Sequence, residues 1–157
     1  MSVNHIFYYN YSTLRIPELI LSEQIFTKEF PSDPDLLPEI EEFIIEIADK
    51  INLDKDKHNN LAISVSEAAS NSMVHGNKLD INKKVLITVK VSDDHMEIIF
   101  KDEGKGFVLD KVPDPTKPEN ILKESGRGIH IMKNFIDELK YNFTPSGTEA
   151  ILVIRLD

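Results

Sequence analysis

Apolar positions along this chain switch between a helical and a strand period. Leu36, Leu37, Ile40, Phe43, Ile44, Ile47 and Ile51 fall three or four apart, and Pro38 is tolerated in a first turn whose N–H groups lack partners anyway. This spacing predicts a helix over about Asp35 to Ile51. A second helix, about Lys55 to His75, would bury Leu61, Val65, Ala68, Ala69 and Ser72 along one stripe. The period then drops to two. Val85, Ile87, Val89 and Val91 alternate with Leu86, Thr88 and Lys90, and Met96, Ile98 and Phe100 alternate beyond the turn Ser92-Asp93-Asp94-His95, which predicts a hairpin. Ile129, Met132, Phe135, Ile136 and Leu139 mark a third helix. Two closing strands, about Leu139 to Phe143 and Thr148 to Leu156, flank the turn Pro145-Ser146-Gly147.

Helices and hairpins that do not alternate strictly predict an α+β fold, a two-layer sandwich with helices on one face of a mixed, mostly antiparallel sheet. Residues 1–25 read as an N-terminal extension whose Phe7, Tyr8, Tyr9 and Tyr11 would form an extra edge strand or part of a subunit contact. Residues 26–157 then make one domain. Within it, the Pro-, Lys- and Glu-rich stretch from Val112 to Ser125 lies between two glycine clusters, and long loops of this kind are usually functional, so 107–125 is expected to be a lid.

Composition narrows the partners. A length of 157 residues with 41% hydrophobic content suits a single core, and 18 basic against 27 acidic residues leave a charge of −9 that argues against direct nucleic-acid binding. The chain has no cysteine, and its five histidines are scattered, so an oxygen-bound metal arriving with a ligand is expected rather than a closed metal cluster. No stretch approaches the roughly 18 apolar residues of a membrane span, and nothing resembles a signal peptide, which makes the cytoplasm the expected location and the membrane no partner.

Three groups of residues carry candidate chemistry. On the second helix Asn60, Ser64, Glu67, Asn71 and His75 recur three or four apart, opposite the buried stripe. A merely wet face would usually be rich in Lys and Arg, whereas these short side chains suit a closely approached ligand. Asp102-Glu103-Gly104-Lys105-Gly106 follows a strand directly, placing a carboxylate at a strand end where glycines let the backbone come close to a ligand. Gly126-Arg127-Gly128 opens the third helix, where free N–H groups and the positive dipole end form an anion site. There is no Gly-x-x-x-x-Gly-Lys-Ser/Thr, so a phosphate cradle here is of another kind than the P-loop.

In this order, Glu67-x-x-x-Asn71 with His75-Gly76, Asp102-x-Gly104-x-Gly106-Phe107, and Gly126-Arg127-Gly128-Ile129 resemble the N-box and glycine boxes of the GHKL (Bergerat-fold) ATP-binding superfamily. The match is strongest with the anti-sigma factor serine kinases, helped by Pro113-Asp114-Pro115-Thr116, Ile136-Asp137-Glu138-Leu139 and Gly147-Thr148-Glu149, over roughly Phe26 to Leu156. The resemblance implies ATP and Mg2+ as ligands. Asn71 would hold the metal through its side-chain oxygen, and Asp102 would accept a hydrogen bond from the adenine amino group. Gly104 and Gly106 would line the base pocket, and Thr148 would help hold Asp102 and the base. Gly126 to Ile129, with Gly128 between them, would offer backbone N–H groups to the phosphates, Arg127 would sit near the outer phosphates, and His75 would make a helix-terminal or ligand contact. Ser70 and Ser72 stand where family members often carry Thr and Ala.

Glu67 discriminates among relatives. Histidine-kinase domains carry an amide at this position, whereas a carboxylate can take the proton from an attacking oxygen during phosphoryl transfer, which makes Glu67 the candidate catalytic base. With neither a transducer domain nor a phosphoacceptor helix pair expected, the resemblance implies a serine/threonine protein kinase acting on a docked partner. It would be a homodimeric switch that sequesters a sigma factor and phosphorylates an anti-anti-sigma antagonist. The alternative is a non-catalytic, nucleotide-gated interaction module of the same fold.

Overall fold

A computed structural model of the protein describes the backbone of residues 7–9, and residues 23–121 and 126–156. Six strands form one sheet in the order β1-β2-β3-β4-β6-β5: β1 Phe7–Tyr9, β2 Gln24–Pro31, β3 Lys84–Val91, β4 His95–Lys101, β5 Glu138–Thr144 and β6 Gly147–Arg155. Every pairing among them is antiparallel, so the expected two-layer sandwich carries an antiparallel sheet rather than a mixed one. The edge strand expected from the N-terminal aromatics pairs Phe7–Tyr9 with Ile25–Thr27, while Tyr11 lies outside the described residues.

Strand alternation decides which sheet face is covered. Val85, Ile87, Val89, Met96, Ile98, Phe100 and Leu152 are fully or almost fully buried against the helices, and the cross-strand register keeps them on one face. Leu86, Ile99, Ile151 and Val153 occupy the other face and are half-buried. Three α-helices supply the second layer: α1 Leu37–Lys50, α2 Lys55–Asn71 and α3 Arg127–Phe135. Ile40, Ile44 and Ile47 of α1 and Leu61, Val65, Ala68 and Ala69 of α2 complete the core. Asp54 caps α2 by accepting from the Asp56 N–H, and Asp33 does the same for the Asp35 N–H in the short 3-10 turn that leads into α1.

Two helix ends differ from the periodic pattern. The α-helical part of α2 stops at Asn71, and Ser72–Gly76 form a wider π turn in which the Asn77 N–H reaches the Ser72 carbonyl at 2.8 Å. Helix α3 stops at Phe135. Ile136 and Leu139, although helically spaced, are not in it: Ile136 is extended (φ −118°, ψ 163°) and buried, and Leu139 belongs to β5. Strand pairing takes over there, because the Asp137 N–H bonds the Val153 carbonyl and the Asp137 carboxylate accepts from the Arg155 N–H.

Candidate functional site

Helix α2, the end of β4, the start of α3 and strands β5 and β6 surround a cavity of about 660 Å3, within the ordinary range of small-ligand sites. Glu67, Asn71 and His75 border it from α2 and its π turn, and Gly126, Arg127, Gly128 and Ile129 from α3. Asp102, Gly106 and Thr148 border it from the sheet side. The three groups of residues singled out in the sequence therefore share one cavity. Asn60 and Ser64 of the first group and Glu103 and Lys105 of the second do not border it, and neither does Gly104. It stands behind the wall, donating its N–H to Asp102 Oδ1 at 2.8 Å and packing so tightly on Gly76 that an added β-carbon would come within 2.5 Å of the Gly76 carbonyl oxygen.

Asp102 is 5% exposed, and its environment is specific. Oδ1 accepts from the backbone N–H groups of Gly104 (2.8 Å) and Thr148 (3.2 Å), leaving Oδ2 without a partner among the described residues. Burial pushes its pKa above the ordinary carboxylate value of 3.8, opposed by those two N–H groups and by the charge of Lys83. Beside it, Thr148 Oγ1 is buried without a hydrogen-bond partner. A buried acceptor with a free oxygen next to an orphaned hydroxyl fits a ligand that offers donors, as an exocyclic amine does.

The opposite end of the cavity suits an anion. Gly126 precedes α3 in the left-handed region (φ 90°), no side chain caps the helix, and the N–H groups of its first turn are left for a ligand. Gly128 matters for another reason: a β-carbon there would run into Glu67 Oε2 and force it aside, so the carboxylate lies directly against this turn. Asn71 Nδ2 is 3.4 Å from the same position, and its amide has no hydrogen-bond partner among the described residues. One neutral amide beside a phosphate-sized anion site fits a hard cation whose other ligands are phosphate oxygens and water.

The polar stripe of α2 is not the wet face that its composition allows. Ser64 is fully buried with its hydroxyl unpartnered, Glu67 and Asn71 are half-buried, and His75 alone is exposed. Arg127 is exposed, and its guanidinium donates to the carbonyl of Ile121 in the 107–125 segment, tying that segment to α3. The Pro113 carbonyl of the same segment packs on Gly126. Among its described residues the segment forms two single turns of 3-10 helix, Leu109–Lys111 before Pro113 and Pro118–Asn120 after it.

Sequence reasoning did not assign a role to two residues. Asn77, fully buried, makes three hydrogen bonds at the edge of the site. A polar residue just past a helix-ending Gly is the available signal. Tyr141 lines the cavity beside Ala150, stacks on Phe143 (6.2 Å, 11°) and receives the edge of Phe107 (5.1 Å, 80°). Burial pushes its phenol up to about 12, so it stays neutral. The alternation Leu139, Tyr141, Phe143 carried that information.

Comparison with known proteins agrees with this geometry. The model of the histidine kinase-like ATPase domain family matches residues 30–154. An anti-sigma F factor of Shouchella clausii is 45% identical over 80 residues, 48% of this chain and 53% of the relative, so that match spans about half of the relative's length. The serine-protein kinase RsbW of Bacillus subtilis is 30% identical over 70% of this chain and 72% of its own, and that of Bacillus licheniformis 32% over 77% and 79%. Among solved structures, the histidine kinase domain of the blue-light activated histidine kinase from Erythrobacter litoralis EL346 shares the fold, with a TM-score of 0.52 and 16% identity over 81% of this chain and 62% of that one. With the three motif groups on one cavity and the family match running from β2 to β6, this chain belongs to the histidine kinase-like ATPase domain family.

Proposed function

We propose that the protein is a Mg-ATP-dependent serine/threonine protein kinase of the anti-sigma type. It would hold a sigma factor inactive and phosphorylate a serine or threonine of an antagonist protein. The observation that carries the reading is the contact of Glu67 with Gly128, which sets a carboxylate against the helix start that suits phosphate, one turn from Asn71. The names of the relatives support the partner-switch role.

In this reading Asp102 Oδ2 accepts the adenine amino group, Thr148 Oγ1 supplies a further polar contact to the base, and the N–H groups of α3 receive the phosphates. Asn71 would hold Mg2+, which neutralises charge on the phosphates when bound. Glu67 takes the proton from an incoming serine hydroxyl as its oxygen bonds to the terminal phosphorus and the bond to ADP breaks. Phosphate then adds roughly two negative charges to the antagonist, enough to disrupt an interface by repulsion and desolvation. A homodimer is part of the proposal, supported by the half-buried Leu86, Ile99, Ile151 and Val153 on the sheet face opposite the helices. Location in the cytoplasm also belongs to it. Among the described residues no helix is long and apolar enough to cross a membrane.

The test is transfer of labelled phosphate from ATP to an antagonist protein encoded near this gene. Transfer that depends on Glu67 supports the kinase. ATP binding without transfer to any antagonist would favour the non-catalytic module.

A further inference from the structure

We infer that Asn77 is a positioning residue for base recognition: it fixes the backbone that aims Asp102 and so sets the preference for adenine over guanine. The inference rests on the reading of Asp102 as the acceptor for the base.

Both peptide units flanking Asp102 are anchored. On one side the Asp102 N–H bonds the Thr148 carbonyl at 2.9 Å; on the other the Glu103 N–H bonds Asn77 Oδ1 at 2.7 Å. The second bond fixes the peptide that follows Asp102, and with it the direction in which the Asp102 side chain leaves the chain. Asn77 is itself immobile. Its Nδ2 donates to Ser32 Oγ at 2.8 Å and to the Lys84 carbonyl at 3.0 Å, and Ser32 Oγ in turn donates to the Lys83 carbonyl at 3.0 Å. Because Lys84 offers only an acceptor here and Glu103 only a donor, the amide has one possible orientation. All three strong bonds are made inside a residue that is 0% exposed, and Glu103 closes the ring by accepting the Lys84 N–H at 2.6 Å.

The neighbours of Asn77 point the same way. Gly76 leaves the room that Asp102 Oδ2 occupies, since a β-carbon there would overlap the carboxylate. Lys78 and Leu79 both sit in the left-handed region at φ 57°, a conformation that non-glycine residues hold only when their surroundings over-determine it. The Leu79 N–H is bound to the Met73 carbonyl at 2.8 Å, so the strained turn is tied on both sides of Asn77. A strained, fully bonded turn beside the one buried carboxylate of the cavity is the signature of an aimed group.

Calorimetric binding of ATP and GTP to the purified chain, below its unfolding temperature, tests this. Asn77→Ala should lose roughly 10- to 100-fold in ATP affinity and most of the preference for ATP over GTP, while the ratio of affinities with and without Mg2+ stays as in wild type. Ser32→Ala, which removes one acceptor of the Asn77 amide, should shift the preference in the same direction by roughly two- to five-fold, and it carries the test if Asn77→Ala does not fold. A folded Asn77→Ala protein, or failing it Ser32→Ala, with wild-type ATP/GTP preference overturns the inference even if its melting temperature falls. If wild type shows no adenine preference, or Asp102→Asn leaves it unchanged, the assignment of Asp102 itself has failed, and the inference with it.

Discussion

The Glu67 carboxylate lies against the α-carbon of Gly128, with no space between them for a methyl group. Gly128→Ala should therefore push the carboxylate aside at the point where phosphate would dock. Transfer should fall by roughly 100-fold or more, with a smaller loss of ATP affinity, because the backbone N–H groups of α3 remain. Comparing kcat and nucleotide Kd for this variant checks it; a loss confined to Kd would place the glycine's role in binding alone.

Glu67→Gln keeps the volume and removes the proposed base. It should leave ATP binding nearly intact while slowing transfer roughly 100- to 10,000-fold. Asn71→Ala should weaken Mg-ATP binding and transfer together, since its amide would be the neutral ligand at the phosphate end. Wild-type transfer rates in Glu67→Gln would remove it as the base.

Saturation with Mg-ATP should raise the melting temperature by several degrees, as expected for the ~2.7 kcal/mol of linkage at 100 times the dissociation constant. Asp102→Asn should lose most of that shift, because an amide presents its own N–H groups to the adenine amine. Equal stabilisation by adenine and guanine nucleotides would contradict the base-reading role.

Acid should weaken ATP binding before it unfolds the protein. Burial raises the Asp102 pKa above 3.8, so the folded apo-protein takes up a proton there at a higher pH than the unfolded chain does. This group therefore favours the fold as pH drops through its raised pKa and disfavours it above. Nucleotide, by contrast, needs the ionised acceptor, so affinity should decline over the same window. Calorimetry down the acidic range, with circular dichroism as a control for unfolding, checks the sign. A flat profile above the unfolding pH would show that Asp102 does not receive the base.

Segment 107–121 is expected to exchange its amide hydrogens more slowly when Mg-ATP is bound. Its ties at Pro113 and Ile121 both end at the start of α3, where phosphate would dock. Identical exchange with and without nucleotide would count against a lid.

Much of this was legible because hydrophobic alternation is a direct record of which face is covered. Strands β3 and β4 begin and end within a residue or so of the alternating Val85–Val91 and Met96–Phe100 runs. The motif residues could be grouped because three short signals in fixed order constrain one another. What stayed hidden depends on tertiary partners. Ile136 and Leu139 continue a helical spacing, yet pairing of Asp137 with β6 draws them into an extended chain. Ser64 reads as a surface hydroxyl, yet it is fully buried in a helix that packs against both α1 and α3. The place of Gly104 behind the wall follows from its contact with Gly76, which no spacing rule encodes.

The π turn at Ser72–Gly76 also makes this stretch intolerant of length changes. An α-helix advances by about 100° per residue, so inserting one more residue between Asn71 and Asn77, in a turn that is already one residue wider than α, would turn Asn77 away from Glu103. The hairpin at Ser92–His95, bordered by solvent, could accept an insertion. Between the two asparagines Gly76 is held by its contact with Asp102, and a one-residue insertion there should separate phosphate binding from base selection in a protein that still folds.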